Sequence, residues 1–90
     1  MISLPDSVSA YRRTPVFTAA TVPAGLLRDH QTAAGVWGLL HVLEGSVFLR
    51  WAGEDVEAEI RPGEPWVIPP QTLHAVRLSE EAAFQVEFWR

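Results

Sequence analysis

His30, His41 and His74 are the only imidazoles in this chain, and it contains no cysteine. Any transition-metal site would therefore rest on ring nitrogens and carboxylate oxygens, since thiolate ligands are absent. The same absence removes disulfides and thiol nucleophiles. No serine stands in a Gly-x-Ser-x-Gly elbow, and no lysine is present to complete a phosphate-cradling loop. Covalent catalysis and nucleotide hydrolysis thus lack candidate residues.

Each candidate has two readings. His74 shares strand parity with Val76 and Leu78, which points it inward, either as a ligand-contacting residue or as a buried histidine bonded to backbone. His41 shares parity with Trp37, Leu39 and Leu43, so it is a satisfied core histidine or a third ligand. Glu87 is an acid inside an apolar, aromatic terminal segment, where an unpaired charge would be costly to bury. A metal or Arg28 would compensate it; solvent or another arginine would serve equally. The acidic pairs Glu57/Glu59 and Glu80/Glu81 alternate with apolar residues or lie at turns, which marks solvated charges rather than acid-base catalysts. Trp37, Trp51, Trp66 and Trp89 supply core, interface or pocket walls, and Arg28 and Arg77 are candidate partners for an anionic ligand.

Short strands must position these groups. From Pro15 onward, runs rich in Val, Phe, Trp, Leu and Thr are broken by Gly, Pro or acidic pairs. This punctuation predicts strands near 16–22, 26–31, 36–43, 46–52, 56–61, 65–68, 72–78 and 83–89. Val56, Ala58 and Ile60 alternate with Glu57, Glu59 and Arg61, giving one dry and one wet face. Phe84, Val86 and Phe88 alternate with Gln85, Glu87 and Trp89, and the mixed face is the one expected to line a pocket. Segment 36–43 is apolar at both parities apart from Gly38 and His41, which predicts cover on both sides. Glu44-Gly45 marks a reversal, and Pro62-Gly63 and Pro69-Pro70 end runs because proline has no N–H for the ladder. No segment calls for a helix longer than about one turn.

Ninety residues bound the chain to one domain, read as an irregular lead-in over 1–14 and an all-β domain over 15–90. So small a core without disulfides favours a partner subunit, and a homodimer is expected. The net charge of −4, with no basic block, argues against nucleic-acid binding. No stretch approaches the roughly 18 apolar residues of a membrane span, and Met1–Ser9 lacks a signal-peptide pattern, so a cytoplasmic protein with no membrane partner is expected.

Gly63-Glu64-Pro65-Trp66-Val67-Ile68-Pro69-Pro70-Gln71-Thr72-Leu73-His74 resembles the second motif of the cupin superfamily, with Gln71 where that motif often has a second glycine. Val42-Leu43-Glu44-Gly45-Ser46-Val47 resembles the hairpin closing the first motif. The two histidines and glutamate usual ahead of that hairpin are absent; Thr32, Ala34 and Gly38 lie near their places. More closely, Thr21 to His30, Ala34-Gly35-Val36-Trp37-Gly38 and Val86-Glu87-Phe88-Trp89 resemble the small cupin-like domain associated with tellurite-resistance proteins, a likeness covering residues 10–90. In that family the domain occurs alone or ahead of a methyltransferase, and the sequence here has no methyltransferase nucleotide-site signature.

The resemblance implies a single small β-barrel of jelly-roll type. It also implies His30 and His74 as retained histidines of a site for a divalent transition metal such as Zn, Fe, Ni or Mn, to which Glu87 is added as carboxylate on its position in the terminal strand and His41 on its parity, as a third ligand or a core residue. Arg28, Trp37, Trp66 and Trp89 are expected around the ligand pocket. The function expected first is a binding or sensory module, linked to tellurite or another stress response, that takes a small organic or oxyanion ligand. A metal-dependent oxygenase or isomerase, and a structural or regulatory homodimer without metal, are the alternatives.

Overall fold

The computed structural model of the chain describes residues 2–90. Eight strands run in chain order: β1 (Ala10–Arg13), β2 (Phe17–Thr18), β3 (Trp37–Glu44), β4 (Val47–Trp51), β5 (Ala58–Ile60), β6 (Trp66–Ile68), β7 (His74–Leu78) and β8 (Ala83–Trp89). A single 3-10 turn, Ala24–Leu27, interrupts them. That turn and a lone bridge at His30 occupy the segment expected to form a strand over 26–31. Pro23 and Gly25 explain the change: proline suits the entry to a turn and glycine weakens a ladder.

The larger sheet has the order β1-β8-β3-β6, with β2 also on β8; the smaller has the order β5-β4-β7. β1 and β2 lie end to end along one edge of β8. Between them Thr14 donates its N–H to the Val86 carbonyl and accepts the Val86 N–H on Oγ1, at 2.9 and 3.0 Å. Pro15, which has no N–H, falls at the break. Residues 10–13, read from sequence as irregular, are thus an edge strand.

Register decides which residues face inward. Gly38, Leu40 and Val42 of β3 stand opposite Phe88, Val86 and Phe84 of β8, and Ile68 of β6 stands opposite Gly38. In the smaller sheet Val47, Leu49 and Trp51 stand opposite Leu78, Val76 and His74, with Ile60 and Ala58 on the other flank. These two rows meet in one core built on Leu40, Val42, Val47, Leu49, Ile60, Ile68, Val76 and Phe84. Phe17 packs on Phe84 with ring centroids 5.7 Å apart. Burying side chains of this size contributes about 1.5–3 kcal/mol each.

The expected cupin-type β-barrel does not form: the two sheets face each other, and neither is closed. Proline supplies a physical reason. β6 is three residues long, preceded by Pro65 and followed by Pro69-Pro70, and β5 is three residues ending at Ile60, two positions before Pro62. Strands this short, flanked by residues without N–H groups, cannot extend a ladder around a corner. Among the described residues one isolated β-bridge, between His30 and His74, lies outside the named strands.

Two alternations also resolve differently from expectation. β3 is buried at Gly38, Leu40 and Val42 but only half-buried at Trp37, Leu39 and His41, so one face is closed rather than both. Val56 is 77% exposed and lies ahead of β5, so the dry face of that strand is Ala58 and Ile60 alone.

Gly45 turns β3 into β4 at φ +62, and a Cβ there would meet Ser79 Oγ at 2.6 Å and Ala82 N at 2.9 Å. Gly63 has φ +84 with open space around it. Gly63→Ala is therefore expected to cost about 1–2 kcal/mol from the left-handed backbone alone. Gly45→Ala adds overpacking and is expected to cost roughly 2–5 kcal/mol. Urea denaturation of both variants measures the difference; equal losses would contradict the close packing at Gly45.

Candidate functional site

A cavity of about 490 Å³ opens between the sheets at the end where β7 begins. Its walls are largely the inner rows just described: Phe17, Leu40, Ile68, Val76, Phe84, Val86 and Phe88. Polar groups enter at few points, chiefly His30, His74, Gln31, Thr32, Thr14, Tyr11 and Arg12. Clefts of this size and apolar character are ordinary small-molecule sites.

His74 is 2% exposed and is the one polar residue in the buried set. It takes that position because it occupies the inner row of β7, as its parity with Val76 and Leu78 requires. Reciprocal backbone bonds hold His30 against it: His30 N–H to the His74 carbonyl at 2.9 Å, and His74 N–H to the His30 carbonyl at 3.0 Å. The two rings lie 4.1 Å apart between centroids, and Trp51 packs on His74 in a T-shaped arrangement with centroids 5.7 Å apart.

The loops behind each histidine are tied down. Thr32 Oγ1 donates to the Val36 carbonyl at 2.7 Å, and Gln71 N–H donates to the Thr32 carbonyl at 3.2 Å. Gln71 itself adopts φ +53, the left-handed conformation that glycine favours, at the position where a second glycine is common. The loop conformation is retained without the glycine.

Hydrogen bonding fixes the protons on both rings. His30 Nδ1 lies 3.0 Å from the Arg28 carbonyl, and His74 Nδ1 lies 2.7 Å from the Thr72 carbonyl. A carbonyl only accepts, so each Nδ1 carries a proton and each Nε2 of the neutral ring is left as a lone-pair acceptor. Burial, reinforced by the neighbouring His30, holds the His74 pKa below the ordinary histidine value, although the Thr72 carbonyl and Asp29 oppose the shift.

Glu87 lies elsewhere. It belongs to the outer row of β8, opposite Leu39 and Arg13, on the far side of the sheet from the cavity. Its Oε1 accepts from His41 Nε2 at 2.7 Å and its Oε2 accepts from Arg13 at 2.7 Å. Arg13 first, and then His41, lower the Glu87 pKa. The mixed face of β8 therefore carries an ion cluster, and the apolar face lines the cavity, the reverse of the expected assignment.

The metal-binding expectation is corrected by this geometry. His30 and His74 come together, but Glu87 and His41 pair with each other across the sheet, because successive residues of a strand point to opposite faces. Among the described residues no group of three or more His, Cys, Asp or Glu side chains is placed to hold a metal ion. The four expected ligand residues therefore do not form one group.

The expected pocket residues are dispersed. Arg28 contributes its backbone carbonyl to His30 and does not line the cavity. Trp37 and Trp89 face each other on the outer row of the larger sheet. Trp66 packs against the core. Arg77 lies on an exposed face, bonded to Glu57 at 2.9 Å and stacked over Phe48. Sequence reasoning missed Arg12, Phe17 and Thr32. The place of Arg12 at the cavity, on β1 opposite Phe88, becomes visible only once residues 10–13 are recognised as a strand.

The TehB-like domain model matches residues 12–86, five-sixths of the chain. The chain belongs to the TehB-like domain family. This is the family to which the sequence resemblance pointed. The uncharacterized protein YeaR of Escherichia coli (strain K12) is 29% identical to this TehB-like domain over 99 aligned positions, which span 99% of this chain and 83% of YeaR. A crystal structure of an Escherichia coli (strain K12) protein superimposes with a TM-score of 0.90 at 25% identity, covering 100% of this chain and 97% of that one. TehB from Haemophilus influenzae superimposes with a TM-score of 0.85 at 26% identity, covering 93% of this chain but 32% of TehB.

The lowered pKa of His74 sets a pH dependence. The unfolded chain binds the proton more tightly than the folded one, so the stability due to neutral His74 is complete above about pH 6.5 and falls as pH drops below it. Urea midpoints are expected to decrease from pH 7.5 to 5.5. His74→Asn, whose amide nitrogen takes the place of Nδ1 as donor to the Thr72 carbonyl, is expected to flatten that slope. Glu87 does not contribute in this window, because its lowered pKa keeps it ionised there.

Proposed function

We propose that this TehB-like domain is a binding module that takes a small organic molecule into the cavity between its two sheets. The observation that carries this reading is an apolar cavity of about 490 Å³ with two imidazoles fixed at one end of it. Both rings line the cavity, and neither Nε2 has a hydrogen-bond partner among the described residues. Among the described residues the only fully buried side-chain polar atom without a partner is Trp89 Nε1. His74 Nε2, which has no protein partner there, therefore keeps contact with the cavity. TehB, a third of whose chain superimposes on this domain, supports the view of a unit that can serve beside another domain. A link to tellurite or another stress response belongs to the same proposal, through the family alone.

Self-association would use a different surface. The outer row of the larger sheet presents Trp37, Leu39 and Val67 half-buried and Leu43 46% exposed. A homodimer through that face leaves the cavity free, so the two roles are compatible. Among the described residues no helix is long and apolar enough to cross a membrane.

Ala33 is an exposed loop residue at the cavity wall, where a large side chain would obstruct the space without touching the core. A small-molecule library screened by ligand-observed NMR and thermal shift is expected to yield binders that raise Tm. Stabilisation should reach about 2.7 kcal/mol at a hundredfold excess over Kd. Ala33→Trp is expected to weaken those binders at least tenfold. Binding indifferent to that substitution would overturn the assignment to this cavity.

A further inference from the structure

The cavity has a chemical polarity of its own. On the smaller sheet, His74 and its neighbour His30 present two Nε2 lone pairs, their protons being committed on Nδ1 to the Thr72 and Arg28 carbonyls. Neutral imidazoles of this tautomer accept hydrogen bonds and cannot donate one from Nε2. On the larger sheet, Arg12, a solvent-exposed residue of the edge strand β1 that stands opposite Phe88, lines the same cavity. Its neighbour Arg13 is bonded to Glu87 on the outer face, whereas Arg12 makes no side-chain hydrogen bond or ion pair among the described residues. No aspartate or glutamate lines the cavity. Asp29 acts on His74 from the adjoining loop, outside the lining.

A guanidinium without a carboxylate partner on one wall, and two acceptor nitrogens on the facing wall, specify complementary groups. Packed sheets stand about 10 Å apart, so those groups must be separated by an apolar body. Phe17, Phe84, Val86 and Phe88 furnish the matching apolar walls.

We infer that the ligand of this cavity is a small hydroxy acid, with its carboxylate on Arg12, its single hydroxyl proton shared in a bifurcated hydrogen bond between the Nε2 atoms of His30 and His74, and its apolar body between the sheets. The assignment rests on the reading of the cavity as a small-molecule site. A cation is disfavoured, because Arg12 would repel it and no acid lines the cavity to receive it. A plain carboxylate leaves the two lone pairs unanswered, and sites built to accept a substrate hydroxyl discriminate against analogues that lack it.

Isothermal titration calorimetry of the full chain with matched probes tests the inference. The probes are 4-hydroxybenzoate, 4-hydroxyphenylacetate and 3-(4-hydroxyphenyl)propanoate, which scan the spacing between the two groups. The controls are 3-phenylpropanoate, which lacks the hydroxyl, 4-methylphenol, which lacks the carboxylate, and tyramine, which replaces the acid with a cation. At least one hydroxy acid is expected to bind at least tenfold more tightly than every control. Arg12→Gln is expected to abolish the preference over 4-methylphenol while leaving the preference over 3-phenylpropanoate. His30→Ala, checked by circular dichroism, is expected to do the reverse. If 3-phenylpropanoate, 4-methylphenol or tyramine binds as tightly as the hydroxy acids, the cavity remains a binding site and the hydroxy-acid assignment falls. If no probe or control binds, both readings fail.

Discussion

β8 is hydrogen-bonded along both flanks, to β3 on one side and to β1 and β2 on the other, and its strict alternation divides the molecule into two chemical environments. Phe84, Val86 and Phe88 close the core and then line the cavity. Gln85, Glu87 and Trp89 face outward, where Glu87 is held between Arg13 and His41. A one-residue slip in the β3–β8 register would exchange these faces, placing a carboxylate among phenylalanines at a cost of several kcal/mol. The core, the cavity and the outer ion cluster therefore depend on one register.

A second, smaller constraint places the imidazoles. The sheets are not joined by a continuous ladder, and His30 meets His74 through a single reciprocal pair of backbone hydrogen bonds. That bridge uses main-chain atoms only, so it positions the rings without consuming their nitrogens. The carbonyls of Arg28 and Thr72 then select the tautomer of each ring. The loops that carry those carbonyls are cross-linked in turn by the bond from Gln71 to Thr32. Backbone geometry thus preorganises two acceptors at an apolar site, where an unanswered polar atom is costly and a complementary donor is correspondingly well rewarded.

Openness between the sheets follows from the same short strands. Proline next to β5 and β6 ends those ladders, and the resulting gap leaves room for a cavity at the His74 end. The opposite end is filled by Val42, Val47 and Ile60, all at most 5% exposed. One end of the sandwich supplies stability, and the other retains space.

Much of the strand content was legible in the sequence, because alternation and turn residues are local signals. The strands read near 36–43, 46–52, 65–68, 72–78 and 83–89, found at 37–44, 47–51, 66–68, 74–78 and 83–89, the glycine turn at Gly45 and the inward setting of His74 follow from residue types at short spacing, and the family from its resemblance. The partners of those residues were not legible. Parity places Glu87 on one face of β8, but only pairing with β1 and β3 decides that this face is the outer one and that Arg13 and His41 meet it there. Whether short strands close into a barrel or remain two open sheets is likewise a matter of long-range pairing. Arg12 became a cavity residue only through the pairing of an N-terminal segment with the end of the chain. Local sequence determines where a side chain points relative to its neighbours; tertiary packing determines what lies in that direction.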